Sequence, residues 1–278
     1  MKHRYGGLIV TVNVVVNGAA GKMGREVVKA VSQADDMLLV GACDQVSIGR
    51  DVGSLAGIGP LGIKIDDTLE EVLVRTSAHV MVDFTEPASV LQNAHAAIRA
   101  GVGVVIGTTG LTQADLEDMH KAAINRNVGV LVAPNFAVGA VLMMHFAQEA
   151  ARWFPHVEII ELHHDRKKDA PSGTALKTAE MIGENWDKQG AVRAESSIEE
   201  WESLPGARGG KLEGIHIHSV RLPGFVAHQE VIFGLPGQTL TLRHDSTNRE
   251  SFMPGVLMGI RHIQDIRGLV YGLDKLLF

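Results

Sequence analysis

Short β-branched runs alternate with helical segments throughout the first 135 residues. The run VNVVVNGAAGKMGREVVKAVSQA predicts a strand over residues 9–17, a glycine turn, and a helix from Lys22 to Ala34. Further apolar runs lie in MLLVGACD, AHVMVDFTEP, VGVVIGTTG and VGVLVAPNF, with a polar-faced helix near Thr112 to Arg126. Runs of this length, bounded by Gly or Pro and separated by helices, are typical of βαβ units. The alternation therefore predicts an α/β fold with a Rossmann-like parallel sheet, in which ligands bind beyond the carboxyl ends of the strands.

The first predicted strand ends in a glycine-rich turn. Gly18, Gly21 and Gly24 are spaced three residues apart in GAAGKMG, and Ala19 occupies the first glycine position of the strict G-x-G-x-x-G motif. Such a turn brings backbone N–H groups and the positive end of a helix to a phosphate. Asp44, twenty residues after Gly24, ends the second strand, where a carboxylate accepts hydrogen bonds from an adenosine ribose. These features predict dinucleotide binding; the alternative is a tight structural turn followed by a strand-ending Asp.

The same loop bears on the choice of cofactor. Asp44 would repel the 2′-phosphate of NADP(H), and Gln45 follows it where an arginine would help to bind that phosphate. Lys22, within the glycine loop, could compensate for both. We therefore expect NADH as the cofactor, with NADPH as the open alternative.

The pattern changes after residue 134. A long amphipathic helix in NFAVGAVLMMHFAQEAARWF, whose methionines have the spacing of core residues, precedes the alternating strand HVEIIELHH. A helix from near Ser172 and the antiparallel strands GIHIHSVRL, HQEVIFGL and QTLTLRHDS follow, so we predict an α+β C-terminal domain with a mainly antiparallel open sheet. Residues 187–211 are charged and Gly-rich and predict a loop. The last helix and the closing GLVYGLDKLLF are apolar enough to pack on the first domain. The predicted domains are therefore 1–134 with 245–278, for the dinucleotide, and 135–244, for the substrate.

The segment HHDRKKDAPSGT, which begins at His163, concentrates basic side chains in a mildly acidic chain. Ser172 precedes the predicted helix as a candidate N-cap, and the N–H groups of Gly173 and Thr174 lie at the positive end of that helix. A lysine and the Thr174 hydroxyl add donors, and the two histidines titrate near neutral pH, so that one of them can donate a proton. The segment predicts a site for a carboxylate or a phosphate; the alternative is a solvated basic loop.

Composition and spacing exclude several other classes of partner. A formal net charge of −6 argues against a nucleic-acid partner, which requires a broad basic face. No apolar run approaches the length of about 18 residues that indicates a membrane span, and the single cysteine fits a reducing compartment, so we expect a cytoplasmic protein. We expect no metal site. The adjacent histidines lack the i, i+4 spacing of a helical zinc pair. His216 and His218 share one face of a strand, where a polar sheet face is the simpler interpretation than a ligand pair.

In order along the chain, VNGAAGKMG, DFTEPASV, GTTGLT, APNFAVGAVLM and ELHHDRKKDAPSGTA resemble the motifs of the 4-hydroxy-tetrahydrodipicolinate reductase (dihydrodipicolinate reductase) family. The resemblance spans nearly the whole chain, and the HH…K.DAPSGT segment is highly specific to that family. It implies an NAD(P)H-dependent oxidoreductase of lysine and diaminopimelate biosynthesis that reduces a cyclic imine with two carboxylates. It also implies a homotetramer built through the sheet of the second domain.

The resemblance further implies roles for individual residues. His163 is implied to be catalytic as the imidazolium that directs protonation, and Lys167 to be both a catalytic acid and a carboxylate partner. His164 is implied to contact substrate, and Gly173 and Thr174 to bind a carboxylate. The implied cofactor-binding residues are Gly18, Ala19, Ala20, Gly21, Lys22, Met23 and Asp44, then Gly107, Thr108 and Thr109, and finally Ala133, Pro134, Asn135 and Phe136.

Two other functions remain open at this point. A different two-domain NAD(P) oxidoreductase would share the first half of the chain but would not require HHDRKKDAPSGT. An inactive dinucleotide sensor would be expected to lack His163 or Lys167, and both residues are present.

Overall fold

The computed structural model describes residues 11–189 and 201–278. The strands are β1 (Val12–Asn17), β2 (Met37–Cys43), β3 (Ile65–Asp66), β4 (Val80–Asp83), β5 (Gly103–Ile106), β6 (Gly129–Val132), β7 (His156–His163), β8 (Gly210–Leu212), β9 (Ile215–Arg221), β10 (Ala227–Leu235), β11 (Gln238–Ser246) and β12 (Gly268–Tyr271). The α-helices are α1 (Lys22–Gln33), α2 (Val52–Ala56), α3 (Leu69–Arg75), α4 (Pro87–Arg99), α5 (Gln113–Arg126), α6 (Val138–Ala150), α7 (Gly173–Gln189), α8 (Met253–His262) and α9 (Asp274–Leu277). Short 3-10 helices span Arg249–Phe252 and Ile263–Asp265.

The chain forms two compact units. As far as their residues are described, the first unit comprises Met1–Phe136 with Phe252–Phe278, and the second comprises Ala137–Ser251. The boundaries predicted from the sequence, 134/135 and 244/245, lie two and seven residues earlier. The second of them falls inside β11, which continues to Ser246.

The first unit contains the parallel sheet that the sequence predicts. Seven of the described strands lie in the order β12-β6-β5-β4-β1-β2-β3, and each neighbouring pair is parallel. Val14, Val15 and Val16 of β1 are completely buried, as expected for an interior strand of a parallel sheet that is covered on both faces. The predicted Rossmann-like architecture is therefore confirmed.

The elements of this unit differ from the prediction in small ways. β1 begins at Val12 rather than at residue 9, and residues 9 and 10 lie outside the described part of the chain. α1 ends at Gln33, one residue before the predicted Ala34. The closing segment returns to this unit as a strand, because β12 pairs with β6.

The second unit holds a mixed sheet in the order β11-β10-β7-β9-β8. β10 is antiparallel to both β7 and β11, and β8 is antiparallel to β9, so the predicted mainly antiparallel sheet is confirmed. β9, however, runs parallel to β7, and its prediction as an antiparallel strand is wrong for that pairing. The physical reason is the connection: α7 lies between β7 and β9 in the chain, and a helical crossover lets two strands run in the same direction.

Helices α6 and α7 supply the apolar side chains that pack with one face of this sheet. Ile159 of β7, Ile182 of α7 and Phe233 of β10 are completely buried in one cluster, which also contains the buried Met143 of α6. The predicted core position of the methionine-rich helix is therefore confirmed for Met143.

The predicted loop over residues 187–211 is wrong at both of its ends. α7 continues to Gln189, and β8 begins at Gly210. Residues 190–200 of that prediction lie outside the described part of the chain. None of the helices within 11–189 or 201–278 combines the length and apolarity that crossing a bilayer requires.

Candidate active site

The glycine turn of the first unit joins β1 to α1. Gly18 has a φ of +80°, and a side chain there would collide with the backbone carbonyl of Phe84. A side chain at Gly24 would collide with the carbonyl of Gly18, so the third glycine lets the helix pack against the turn. Gly21 precedes α1 without a side-chain cap, and both Gly21 and Lys22 are exposed. The first N–H groups of α1 therefore lie at an exposed, uncapped helix end, which is a favourable position for an anion.

Asp44 lies beside this turn at the end of β2. Its Oδ2 accepts a hydrogen bond of 2.8 Å from the backbone N–H of Ala20, and its Oδ1 accepts one of 3.1 Å from the N–H of Val46. The side-chain amide of Gln45 donates to the carbonyl oxygen of Asp67 at 3.4 Å. The structure thus brings together the glycine turn and the acid that the sequence separates.

A buried carboxylate that was not predicted from the sequence connects the loops that follow β1, β4 and β5. Asp83, which ends β4, is completely buried. Its oxygens accept side-chain hydrogen bonds at 2.7–3.1 Å from Asn17, Thr85, Asn93 and Thr108. The carboxylate therefore fixes the carboxyl ends of β1, β4 and β5 to one another. A signal was present, since polar residues end the neighbouring apolar runs VVVN and VMVD.

The loop after β5 lies beside this carboxylate, and the loop after β6 contacts the residues next to it. A side chain at Gly107 would collide with the ring of Phe84, which in turn packs on Phe136 with ring centroids 5.9 Å apart. The N–H of Ala133 donates to the carbonyl oxygen of Ile106 at 3.0 Å. The two loops named from the resemblance are thus brought together in the first unit. Their other members are exposed or half-buried: Thr109, Pro134 and Asn135.

In the second unit, β7 ends at His163, whose ring contacts a buried carboxylate. The Nδ1 atom of His163 lies 2.5 Å from Oε2 of Glu161, a side chain with no exposed surface. Arg221 of β9 donates from Nη1 and Nη2 to the two oxygens of Glu161 at 2.9 and 2.8 Å. The backbone N–H of Ser172 donates to the same carboxylate at 3.2 Å. Glu161 and Arg221 were not identified from the sequence.

The hydrogen-bond partners of Glu161 decide its protonation. Burial acts to raise the pKa of Glu161, but hydrogen bonds from His163, Arg221 and Ser219 outweigh it and lower the pKa from 4.5 to about 2. The carboxylate is therefore ionised at neutral pH and only accepts hydrogen bonds. It follows that the Nδ1 atom of His163 carries a proton, and that Nε2 is the ring nitrogen left for another partner.

The residues after His163 form a basic turn. The N–H of Lys167 donates to the carbonyl oxygen of His164 at 3.1 Å, and Nζ of Lys167 donates to both oxygens of Asp169 at 2.8 and 2.7 Å. Among the described residues, Nδ1 of His164 is one of few buried side-chain polar atoms that lack a hydrogen-bond partner. Leaving a buried polar atom unpaired costs about 1–3 kcal/mol, so a ligand that hydrogen-bonds to this nitrogen would stabilise the turn.

The turn leads into α7 as the sequence predicts. Ser172 Oγ accepts a hydrogen bond of 3.3 Å from the N–H of Ala175, which confirms the predicted N-cap. Gly173 is exposed, and a side chain built on it would meet no atom within 4 Å. Thr174 is half-buried beside it. The start of α7 therefore has open space for a ligand.

The alternative histidine pair lies on the opposite face of the same sheet. His216 and His218 of β9 have ring centroids 6.5 Å apart, but each ring already has a partner. Nδ1 of His216 lies 2.8 Å from the carbonyl oxygen of Arg208, and Nε2 of His218 lies 2.7 Å from Oε2 of Glu158. Within residues 11–189 and 201–278, no group of three or more His, Cys, Asp or Glu residues has the arrangement of a metal site.

Both units are similar to known proteins. A family model described as "Dihydrodipicolinate reductase, N-terminus" matches residues 12–136, and one described as "Dihydrodipicolinate reductase, C-terminus" matches residues 139–277. A 4-hydroxy-tetrahydrodipicolinate reductase of Desulfitobacterium hafniense (strain DSM 10664 / DCB-2) is 55% identical over 267 residues, covering 96% of this chain and 98% of that protein. One of Moorella thermoacetica is 52% identical over 270 residues, covering 97% and 99%.

A solved structure of the same family is also similar to this chain. The dipicolinate-bound dihydrodipicolinate reductase from Paenisporosarcina sp. TG-14 superposes with a TM-score of 0.83 at 45% identity, covering 96% of this chain and 99% of that one. An amine dehydrogenase from Mycobacterium smegmatis has a TM-score of 0.65 at 16% identity, covering 99% and 97%. The second likeness shows a shared fold alone.

Proposed function

Because the chain belongs to the dihydrodipicolinate reductase family, we propose that it reduces 4-hydroxy-tetrahydrodipicolinate to tetrahydrodipicolinate, with loss of water, using NAD(P)H. The reaction is a step of lysine and diaminopimelate biosynthesis. The observation that carries the proposal in the structure is His163, whose Nδ1 is bound by buried Glu161 at the end of β7, directly before the basic turn and α7.

The reaction defines what the chain must supply. The substrate is a cyclic imine with two carboxylates, and loss of its 4-hydroxyl group as water leaves a conjugated ring. NAD(P)H, when bound, supplies the hydride. Ring carbon 4 receives that hydride, and the electron pair displaced onto the neighbouring carbon is then quenched by a proton. The chain must therefore provide a proton donor and cationic or N–H groups that bind two carboxylates.

His163 is the proposed proton donor. As imidazolium it stabilises the negative charge that develops on the ring, and Nε2 is the nitrogen that delivers the proton, since Nδ1 is bonded to Glu161. Lys167 is proposed as a second acid and as a carboxylate partner. In the structure its ammonium group is paired with Asp169, which has a 62% exposed side chain. A substrate carboxylate can take the place of that exposed partner.

The carboxylates are proposed to bind at the turn and the helix start. His164 is one proposed contact, because its buried Nδ1 has no hydrogen-bond partner within the described residues. Gly173 and Thr174 are the other contacts, because the positive end of α7 and the open space at Gly173 suit an anion. The relative from Paenisporosarcina was solved with dipicolinate, which is likewise a small dicarboxylate.

The glycine turn fits a dinucleotide. Gly18 and Gly24 are positions where a side chain would collide with backbone, and the exposed end of α1 has no side-chain cap. The backbone from Gly18 to Met23 is proposed to bind the pyrophosphate, and Asp44 the adenosine ribose. The loops at 107–109 and 133–136 are proposed to line the nicotinamide.

NADH is the proposed preferred form of the cofactor. Asp44 is fixed beside the glycine turn by the N–H of Ala20, where its charge would repel a 2′-phosphate. Gln45 offers no positive charge. In parallel titrations we expect a lower KM for NADH than for NADPH. We expect Gln45→Arg to reduce the ratio of the KM for NADPH to the KM for NADH. A lower KM for NADPH in the unaltered protein would contradict this preference.

The protein is further proposed to act as a homotetramer in the cytoplasm. The sheet face of the second unit opposite α6 and α7 carries half-buried apolar side chains, among them Ile160, Val220 and Ile232, that a partner sheet would cover. Light scattering at micromolar concentration tests this: four chains per particle are expected, and a monomer would refute it.

Loss of NAD(P)H absorbance on addition of freshly generated 4-hydroxy-tetrahydrodipicolinate tests the reaction itself. We expect oxidation of NADH, of NADPH, or of both when that substrate is added. Oxidation with neither cofactor would leave the other two-domain oxidoreductase or the inactive sensor as the better description.

A further inference from the structure

Glu161 contacts three separate parts of the second unit at once. Its carboxylate accepts hydrogen bonds from the ring of His163, from the guanidinium group of Arg221 and from the backbone N–H of Ser172. Arg221 also donates to the carbonyl oxygen of Asp169 at 2.6 Å. The buried carboxylate therefore connects the end of β7, the end of β9 and the start of α7, and Arg221 links this network to the basic turn.

The geometry restricts the ring of His163 strongly. A neutral imidazole carries its single proton on either nitrogen, and its hydrogen-bond partners decide which one. The oxygen of Glu161 at 2.5 Å from Nδ1 is an acceptor, so it retains the proton on Nδ1. Arg221 donates to both oxygens of Glu161, which fixes the plane of the carboxylate and with it the orientation of the ring.

We propose that Glu161, fixed by Arg221, is a positioning residue that keeps Nδ1 of His163 protonated in both the imidazolium and the neutral ring, so that the proton which the ring gives to the substrate is the one on Nε2. The inference rests on the proposed function, in which His163 donates the proton to the reduced ring. Glu161 itself is buried and does not touch the substrate; it acts through His163.

A purely structural ion pair is the competing explanation, and the chain offers a matched control for it. Glu158, three residues earlier on β7, also binds one histidine and one arginine, His218 at 2.7 Å and Arg208 at 2.6 Å. Three residues along a strand reverse the face of the sheet, so Glu158 lies opposite Glu161. If both ion pairs are purely structural, substitutions of Glu161 and Glu158 should change kcat to a similar extent. If Glu161 positions His163, only substitutions of Glu161 should lower kcat.

The first measurement uses the unaltered protein. Long-range 1H–15N spectra of histidine-labelled protein, at a pH where the imidazole rings are neutral, report which nitrogen of each ring is protonated. The signal of His163 is assigned by its loss in His163→Ala. We expect a protonated Nδ1 and an unprotonated Nε2. A proton on Nε2 would overturn the proposal, and this result does not depend on enzymatic activity.

The second measurement uses two variants at Glu161. Glu161→Gln removes the charge but keeps the shape, and we expect kcat to fall at least about tenfold while KM for the dicarboxylate changes less, because a positioned proton donor contributes about 10²–10⁴-fold. If that variant fails to fold, Glu161→Leu combined with Arg221→Met replaces the whole buried pair by apolar groups of similar size, an exchange that proteins often tolerate. In this double variant we expect His163 to lose its preference for the Nδ1 proton and kcat to fall in the same range.

Glu158→Gln completes the experiment, with its native mass measured beside its rates. We expect its kcat to stay within about twofold of the unaltered protein and the ring of His163 to remain protonated on Nδ1, because Glu158 lies on the opposite face of the sheet and its partners are His218 and Arg208. The native mass shows whether the variant has the same number of chains per particle as the unaltered protein. An unaltered protein that fails to oxidise NADH and NADPH would refute the proposed function but not the ring assignment. An active protein whose Glu161 variants keep both kcat and the Nδ1 proton would refute the positioning role.

Discussion

Two glutamates of one strand bind the same kinds of partner on opposite faces of the second sheet. Glu161 binds His163 and Arg221, and Glu158 binds His218 and Arg208. They differ in burial: the side chain of Glu161 has no exposed surface, whereas that of Glu158 is 37% exposed. The comparison shows that a Glu–His–Arg contact does not by itself mark a reactive site. Burial and position along the strand distinguish the two, because only His163 ends the strand beside the basic turn.

Burial also changes the electrostatics of the two groups. In both glutamates burial acts to raise the pKa of the carboxyl group, and hydrogen bonds act to lower it. For Glu161 the hydrogen bonds outweigh burial and lower the pKa to about 2. The pKa of Glu158 is likewise lowered from its usual value, with His218 and Arg208 outweighing a partial burial. In the single chain the Glu158 group is exposed enough for solvent to screen its interactions. We therefore expect every matched substitution to have a larger effect on the Glu161 side.

The largest difference is expected between the two histidines. His163→Ala removes the proposed proton donor, so kcat should fall by about 10²–10⁴-fold while the affinity for NADH stays nearly constant. His218→Ala removes a ring from the opposite face and should leave kcat within about twofold. Steady-state rates and fluorescence titration of NADH measure both quantities. Equal losses in the two variants would show that the sheet, and not His163, is what the activity depends on.

The arginines should differ in stability. Arg221→Gln leaves the buried charge of Glu161 without its main partner, which costs about 3–5 kcal/mol of unfolding free energy. Arg208→Gln breaks a pair whose side chains are 43% and 37% exposed, which costs about 0–1 kcal/mol. Urea unfolding at neutral pH measures the two values. A cost for Arg208→Gln as large as that for Arg221→Gln would contradict the assignment by burial.

The dependence of stability on pH should differ as well. The folded pKa of Glu161 lies below its unfolded value, so ionised Glu161 stabilises the fold above pH 4.5, and this stabilisation is lost as the pH falls towards about 2. The shift corresponds to about 3 kcal/mol. Unfolding free energies at about pH 7 and about pH 3 should therefore show the gap between the unaltered protein and Glu161→Gln closing as the pH falls. The gap for Glu158→Gln should be smaller throughout; a constant gap for Glu161→Gln would argue against an ionised, stabilising carboxylate.

Local sequence patterns indicated His163, but they could not identify the arginine that binds Glu161. The end of an alternating strand and the basic segment after it indicated His163, and alternation alone places Glu161 on the same face as His163. Arg221 could not be found in this way, since it is 60 residues away and its position depends on β9 running parallel to β7. The direction of β9 could not be predicted either, because alternation of residues does not reveal the direction of a strand.

In the first unit, too, local patterns predicted some residues of the candidate site and missed others. The strand–turn–helix pattern predicted the glycine turn at Gly18 and the strand-ending Asp44, and the structure places them together through Ala20. The buried Asp83 was missed, although it too ends a strand, because nothing in the local pattern shows that residues up to 66 positions apart donate to one carboxylate. Which polar residues meet is decided by the order of the strands, and that order is a property of the fold.

A double-mutant cycle tests the central claim, that Glu161 serves the reaction through His163, most directly. It compares kcat of the unaltered protein, Glu161→Gln, His163→Ala and the variant carrying both changes. If Glu161 acts through His163, the two effects do not add, and the double variant should have the same kcat as His163→Ala alone. If Glu161→Gln lowers kcat by the same factor whether or not His163 is present, its role is structural and the claim is wrong.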